Sequence, residues 1–96
     1  MAETGDLFAF EDLSPVAPTH ILIIPKKHIA SGLDLGEEDK SLIGGVFLLA
    51  NQIAREKGID KSGFRIVTNT GKAAGQAVFH IHFHLLGGRP MNWPPG

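Results

Sequence analysis

Apolar and polar positions along this chain follow two rhythms, one repeating every second residue and one every three to four. The first marks one face of a strand, the second one face of a helix. Residues 7–10 (Leu-Phe-Ala-Phe) make a first short apolar run, read as a strand. Residues 19–24 are rich in β-branched side chains and stop at Pro25, which predicts a second strand; their near-continuous apolarity implies burial on both faces. Asp12, Ser14, Pro15 and Pro18 lie in the connection between these runs. From Leu42 the spacing turns helical: Leu42, Val46, Leu49 and Ile53 recur, with Ile43, Phe47, Ala50 and Ala54 beside them. A helix over 40–57 is predicted, its start near Gly36. Glu37, Glu38 and Asp39 at its start, Arg55 and Lys57 in its last turn, and Gly58 just beyond suit its dipole and its C-terminal cap. Gly44-Gly45 inside it costs about 1 kcal/mol per glycine relative to alanine. Close approach of a partner helix across a dimer would offset that. Residues 64–69 predict the next strand, 70–75 a glycine-bearing loop, and 77–86 a last strand folding back as an antiparallel hairpin. Residues 1–6 read as a frayed start. Prolines and glycines make the end irregular, and Trp93 among them is expected to dock on something. The order strand, strand, helix, strand, strand is that of an α+β fold, an antiparallel sheet with one long helix packed on it.

The last predicted strand is unusual in what alternates. His80, His82 and His84 take one face; Phe79, Ile81, Phe83 and Leu85 take the other. The second set reads as a core face. The first presents three imidazoles in register, each with one donor and one acceptor when neutral and titrating near physiological pH. On the residues alone, three readings stay open. Histidines two apart on a strand can share zinc, although this strand brings no carboxylate with it for the far ring nitrogens. The rings could be satisfied core or surface histidines. Or an imidazole nitrogen could attack phosphorus and form a covalent intermediate, with backbone N–H groups near Gly75, Gln76 and Ala77 as donors to the phosphate oxygens and a carbonyl or His20 orienting the attacking ring.

Composition narrows the field further. The 96 residues predict a single domain over 1–96. The net charge of −1 argues against nucleic acid as a partner. Without cysteine, disulfides and thiolate metal sites are excluded. No stretch has the apolar length of a membrane span or of a signal-peptide core, so a soluble cytoplasmic protein is the expectation. Lys26-Lys27 reads as a solvated pair and His28 as a surface histidine.

The run His80-Ile81-His82-Phe83-His84-Leu85-Leu86 resembles the His-φ-His-φ-His-φ-φ signature of the histidine triad superfamily. Ala9-Phe10-Glu11-Asp12-Leu13-Ser14-Pro15, Ala17-Pro18-Thr19-His20, Ile24-Pro25-Lys26-Lys27-His28 and the block from Gly87 to Gly96 look like its histidine triad nucleotide-binding (Hint) branch. The resemblance implies a homodimeric purine nucleoside phosphoramidate hydrolase that needs no cofactor or metal. His82 would attack the α-phosphorus, and water would then release the nucleoside monophosphate. His80 would hold the His82 ring through its main-chain carbonyl. His84 and Asn69 would contact the phosphate or 5′ oxygen, and His20 would be the fourth histidine of the cluster. Asp12 would accept the ribose hydroxyls, Phe10 and Leu13 would line the base pocket, and Trp93 would reach toward the partner subunit's site. Two departures stand out. Ala77 occupies the position where the family usually has serine near the scissile bond. The chain is also N-terminally short of the usual family length, which implies a more open base site. Both motivate an alternative, a nucleotide-binding or scaffold protein with little catalysis.

Overall fold

The computed structural model describes residues 2–96. Five strands form one sheet in the order β1-β2-β3-β5-β4, every neighbouring pair antiparallel: β1 (Ala2–Glu3), β2 (Leu7–Glu11), β3 (Thr19–Pro25), β4 (Phe64–Val67) and β5 (Phe83–Gly87). A single α-helix, α1 (Lys40–Glu56), packs on it. This is the α+β architecture expected, with the β4–β5 hairpin as predicted. Met1, part of the expected frayed start, lies outside the described residues; from Ala2 on the start is not frayed: Ala2 and Glu3 pair with Ala9 and Phe8, and Lys26 both reaches Glu3 (2.5 Å) and lies 4.9 Å from the centre of the Phe8 ring.

The pleat divides each strand between two faces. Leu7 and Ala9 of β2, Ile21 and Ile23 of β3, and Phe83 and Leu85 of β5 turn to the helix and are buried with Val46, Leu49, Ala50 and Ile53 of α1. The opposite face has no helix over it. There Phe8 and Phe10 are exposed and Leu22 and Ile24 only half-buried, so β3 is not buried on both faces as its apolarity implied.

The helix starts as its sequence suggests but in two stages. Glu37–Asp39 form a 3₁₀ turn, and α1 runs on from Lys40. The Asp39 carboxylate accepts from the Gly36 amide (2.9 Å) and from Lys27 Nζ (2.6 Å). Those two bonds, the amide's first, hold its carboxyl below the usual carboxylate range. Lys27 is therefore ion-paired, tying the end of β3 to the head of the helix. At the other end Gly58, at φ +72°, lets the Ile59 amide reach the Ala54 carbonyl (2.9 Å) and its own amide reach Arg55 (3.2 Å). This is the Schellman closure anticipated from sequence. Gly44-Gly45 has no intrachain explanation: a Cβ at Gly44 meets nothing within 4 Å, and one at Gly45 only Leu7 Cδ1 at 3.9 Å.

Two expectations for the last strand need correction. Pairing starts at Phe83, not Ala77, so only His84 of the three histidines lies in β5. The alternating burial of Ile81, Phe83 and Leu85 continues upstream of the ladder, held by one bond from the Ile81 amide to the Ile29 carbonyl (2.6 Å). Phe79, assigned to the core face, is 56 % exposed. Core truncation should separate from surface truncation accordingly. Ile53→Ala should cost roughly 2–5 kcal/mol, whereas Leu33→Ala, on a side chain 85 % exposed and outside α1, should stay within about 0.5 kcal/mol. Urea denaturation of the two variants checks this.

Candidate active site

Sheet register brings the site together on the open face. Phe10 pairs with Leu22, Leu22 with His84, and His84 with Val67, making one row across four strands. In the next row His20 pairs with Leu86 and Leu86 with Arg65, while the Asp12 amide bonds the His20 carbonyl (3.0 Å). His20 and His84 are thus diagonal neighbours, within reach of one another's rings. Beside them an open cleft of about 700 Å³ is lined by Arg65, Asn69, Leu86, Arg89, Asn92 and Pro94, among others.

The hydrogen bonds fix where each ring carries its proton. The Val16 amide donates to His20 Nδ1 (3.1 Å), so His20 holds its proton on Nε2. That proton is donated to His84 Nδ1 (2.9 Å), which leaves the proton of neutral His84 on Nε2. His82 Nδ1–H donates to the His80 carbonyl (2.9 Å), so the unshared pair of His82 is on Nε2. His80 Nε2–H donates to the Pro25 carbonyl (2.8 Å), and its ring meets His28 edge-on with centroids 5.2 Å apart. The four candidate histidines therefore form two groups. His20, His82 and His84 stand together, with successive centroids 5.2 Å apart. His80 sits apart with its ring on Pro25, and its link to His82 is through its main chain. Burial first, then the neighbouring His82 and His20, holds His84 below the ordinary histidine value.

Asp12, His20 and His84 each bring a ligand atom within 4.8 Å of the others. The donor set fits a cation poorly: His20 Nε2 is protonated, and freeing it would break the bond from Val16.

The other candidates are spread more widely. Asp12 is half-buried, with one carboxylate oxygen 3.5 Å from His20 Nε2 and the other accepting from the Ser14 amide (2.8 Å). Asn69 lines the cleft with His84. Phe10 is exposed on the same face, Leu13 is 100 % exposed, and Trp93, expected to dock, is 82 % exposed. The loop donors need narrowing. The Gly75 amide already bonds Lys72 (3.0 Å) and the Gln76 amide bonds Gly71 (3.1 Å). Among the described residues only Ala77 of the three has an amide without such a bond. The Gln76 side chain is buried and fully engaged: it accepts from the Gly71 amide (2.8 Å) and donates to the Ala30 (2.7 Å) and Val78 (3.1 Å) carbonyls. Its role here is to brace the loop. Sequence reading missed Thr68, whose hydroxyl donates to the His82 carbonyl (2.8 Å). It also missed the Pro25 carbonyl, the Val16 amide and Arg89. Thr68, Pro25 and Arg89 meet partners far away in sequence, and the Val16 amide meets His20 four residues on through an irregular connection that no spacing rule describes.

The HIT domain family matches residues 1–91. The chain belongs to the HIT domain family. An uncharacterised HIT-like protein of Synechococcus elongatus is 50 % identical over 88 residues, 92 % of this chain and 76 % of that protein. The crystal structure of a HIT family hydrolase from Legionella pneumophila matches with a TM-score of 0.98 at 47 % identity, over 100 % of this chain and 86 % of that one. A histidine triad nucleotide-binding protein from Candida albicans matches with a TM-score of 0.73 at 30 % identity, over 98 % of this chain and 72 % of that one.

The lowered pKa of His84 in this HIT domain has a sign. The unfolded chain takes up the proton near pH 6.5, before the folded one does. The stability linked to His84 is thus complete above that value and declines as pH falls from there through the folded pKa. The His84 ring should titrate below 6.5 by NMR, and His84→Asn should flatten the fall in stability below pH 6.5.

Proposed function

We propose that this HIT domain hydrolyses purine nucleoside phosphoramidates through a nucleotidyl-His82 intermediate, as a member of the histidine triad nucleotide-binding branch. One observation carries the reading: the His82 Nδ1–H bond to the His80 carbonyl, which leaves Nε2 as an unprotonated nucleophile beside His84. The likeness to the Candida albicans histidine triad nucleotide-binding protein and to the Legionella pneumophila HIT family hydrolase supports the same direction.

In the first step the His82 Nε2–phosphorus bond forms and the phosphorus–nitrogen bond breaks, its electron pair leaving with the amine. The leaving nitrogen takes up a proton from solvent through the open cleft and departs as the free amine. In the second step water attacks phosphorus and gives up its proton to solvent, the Nε2–phosphorus bond breaks with its electron pair returning to His82, and the nucleoside monophosphate is released. His84, Asn69 and the Ala77 amide would contact phosphate oxygens. Asp12 would accept the ribose hydroxyls and Phe10 and Leu13 flank the base, with Gly75 and Gln76 shaping the loop rather than donating.

A second reading rests on Ala77, which has no hydroxyl to place near the leaving group: a nucleotide-binding protein with little turnover. Two assays on an adenosine phosphoramidate separate the two. His82→Ala should lower turnover by about 10³-fold or more while AMP still binds by calorimetry; wild-type binding without turnover would favour the second reading. We also propose a homodimer, joined through the helix surface at Gly44, Gly45 and Phe47 and bringing Trp93 toward the other subunit's site. Light scattering at micromolar concentration should give twice the chain mass.

A further inference from the structure

Arg89 has no part in the chemistry above, yet its guanidinium is the most heavily committed cation of the cleft. Nε (3.2 Å) and Nη2 (2.9 Å) both donate to the Val16 carbonyl, and Nη1 donates to the Pro90 carbonyl (2.9 Å). A planar fork can do this; an ammonium cannot hold the same three bonds. Its approach is built into the backbone. Gly88 lies at φ +91°, and a Cβ there would come within 2.8 Å of Pro18 Cβ, so only glycine lets the β5 exit pass this close to the 13–18 segment. That segment has no ladder of its own. Among the described residues it is held by the Ser14 amide bond to Asp12, the Val16 amide bond to His20 and the Arg89 fork.

We infer that Arg89 is a positioning residue for the histidine pair: by gripping the Val16 carbonyl it holds the Val16 amide against His20 Nδ1, and so sets the direction in which His20 and His84 share their protons. The logic is one of lone pairs. With the Val16 amide in place, His20 Nδ1 must accept, Nε2 must donate, His84 Nδ1 must accept, and the His84 proton rests on Nε2. Without that amide the pair can reverse together. His84 Nδ1–H would then donate to His20 Nε2, His20 would carry its own proton on Nδ1, and His84 Nε2 would become a bare acceptor. The Asp12 carboxylate, 3.5 Å from His20 Nε2, and the His82 ring are the other titratable groups facing the pair. Asp12 favours the donating form of Nε2 but lies too far to enforce it.

For its effect on turnover the inference rests on the phosphoramidase reading; for its effect on the ring protons it rests on the hydrogen bonds alone. The test uses the full chain with ¹⁵N-labelled histidine. In the wild type, His20 and His84 should each show one protonated Nε2 and one unprotonated Nδ1. In Arg89→Ala both rings should average the two tautomers, and Arg89→Lys, whose ammonium cannot hold the same three bonds, should restore only part of the wild-type signal. Val16→Pro, which removes the amide donor while leaving Arg89 in place, should release the rings in the same way and serves if Arg89→Ala does not fold. On an adenosine phosphoramidate, the loss of this one restraint should lower kcat by roughly tenfold with KM little changed. Unaltered ring signals in a folded Arg89→Ala would overturn the inference, as would unaltered signals in Val16→Pro or released rings with an unchanged kcat in an active enzyme. A wild type with no turnover would sink the phosphoramidase reading and leave the ring measurement to decide this one.

Discussion

The register between β3 and β5 is the constraint on which the rest depends. Leu22 opposite His84 and Ile21 opposite Leu85 decide at once which side chains fill the core and which face the cleft. A slip of one residue would exchange the two sets, sending imidazoles under the helix and leucine and isoleucine into water. Burial of Ile21, Ile23, Phe83 and Leu85 against α1 therefore does more than stabilise. It is the force that holds His84 to the open face, beside His20.

Around that register, polar groups of the main chain assign the protons. Four bonds, from the Val16 amide to His20, from His20 to His84, from His80 to the Pro25 carbonyl and from His82 to the His80 carbonyl, leave each ring in one defined form. Because peptide groups do not titrate, this assignment is steadier than one made by carboxylates alone. Asp12 is near enough to His20 to favour the arrangement electrostatically, but the geometry is set by the backbone. The Lys27–Asp39 pair extends the same support to the outer side, fixing the turn that follows the Pro25 carbonyl to the head of the helix.

Much of this was legible in the sequence where a local rule operates. The 3.6-residue period gave α1 and its Gly58 closure, the β-branched run gave β3, and the alternation from Ile81 to Leu85 gave the inward face of the histidine segment. The errors have physical causes. Alternation reports burial, whereas a strand needs a hydrogen-bonding neighbour; β3 pairs with β5 only as far as Ile23 and β4 ends at Val67, so the ladder stops at Phe83 while the alternation runs on. Ala2–Glu3 is too short to show a period. The three backbone groups that the Gln76 carboxamide satisfies lie on separate segments that no local rule brings together. The bonds from Arg89 to Val16 and from Thr68 to His82 join residues far apart in the chain, and no spacing rule could place them.

The early end of the ladder divides the histidine segment mechanically. Downstream of Phe83 each peptide is secured on both flanks by neighbouring strands. Residues 78–82 are secured by the Ile81 amide, the Thr68 hydroxyl and the Gln76 carboxamide. Deuterium should enter the backbone of this stretch through small local openings, while β5 waits for much larger ones. The ring with the bare nitrogen thus sits on a tether that can yield by a fraction of an ångström, next to an anvil that cannot.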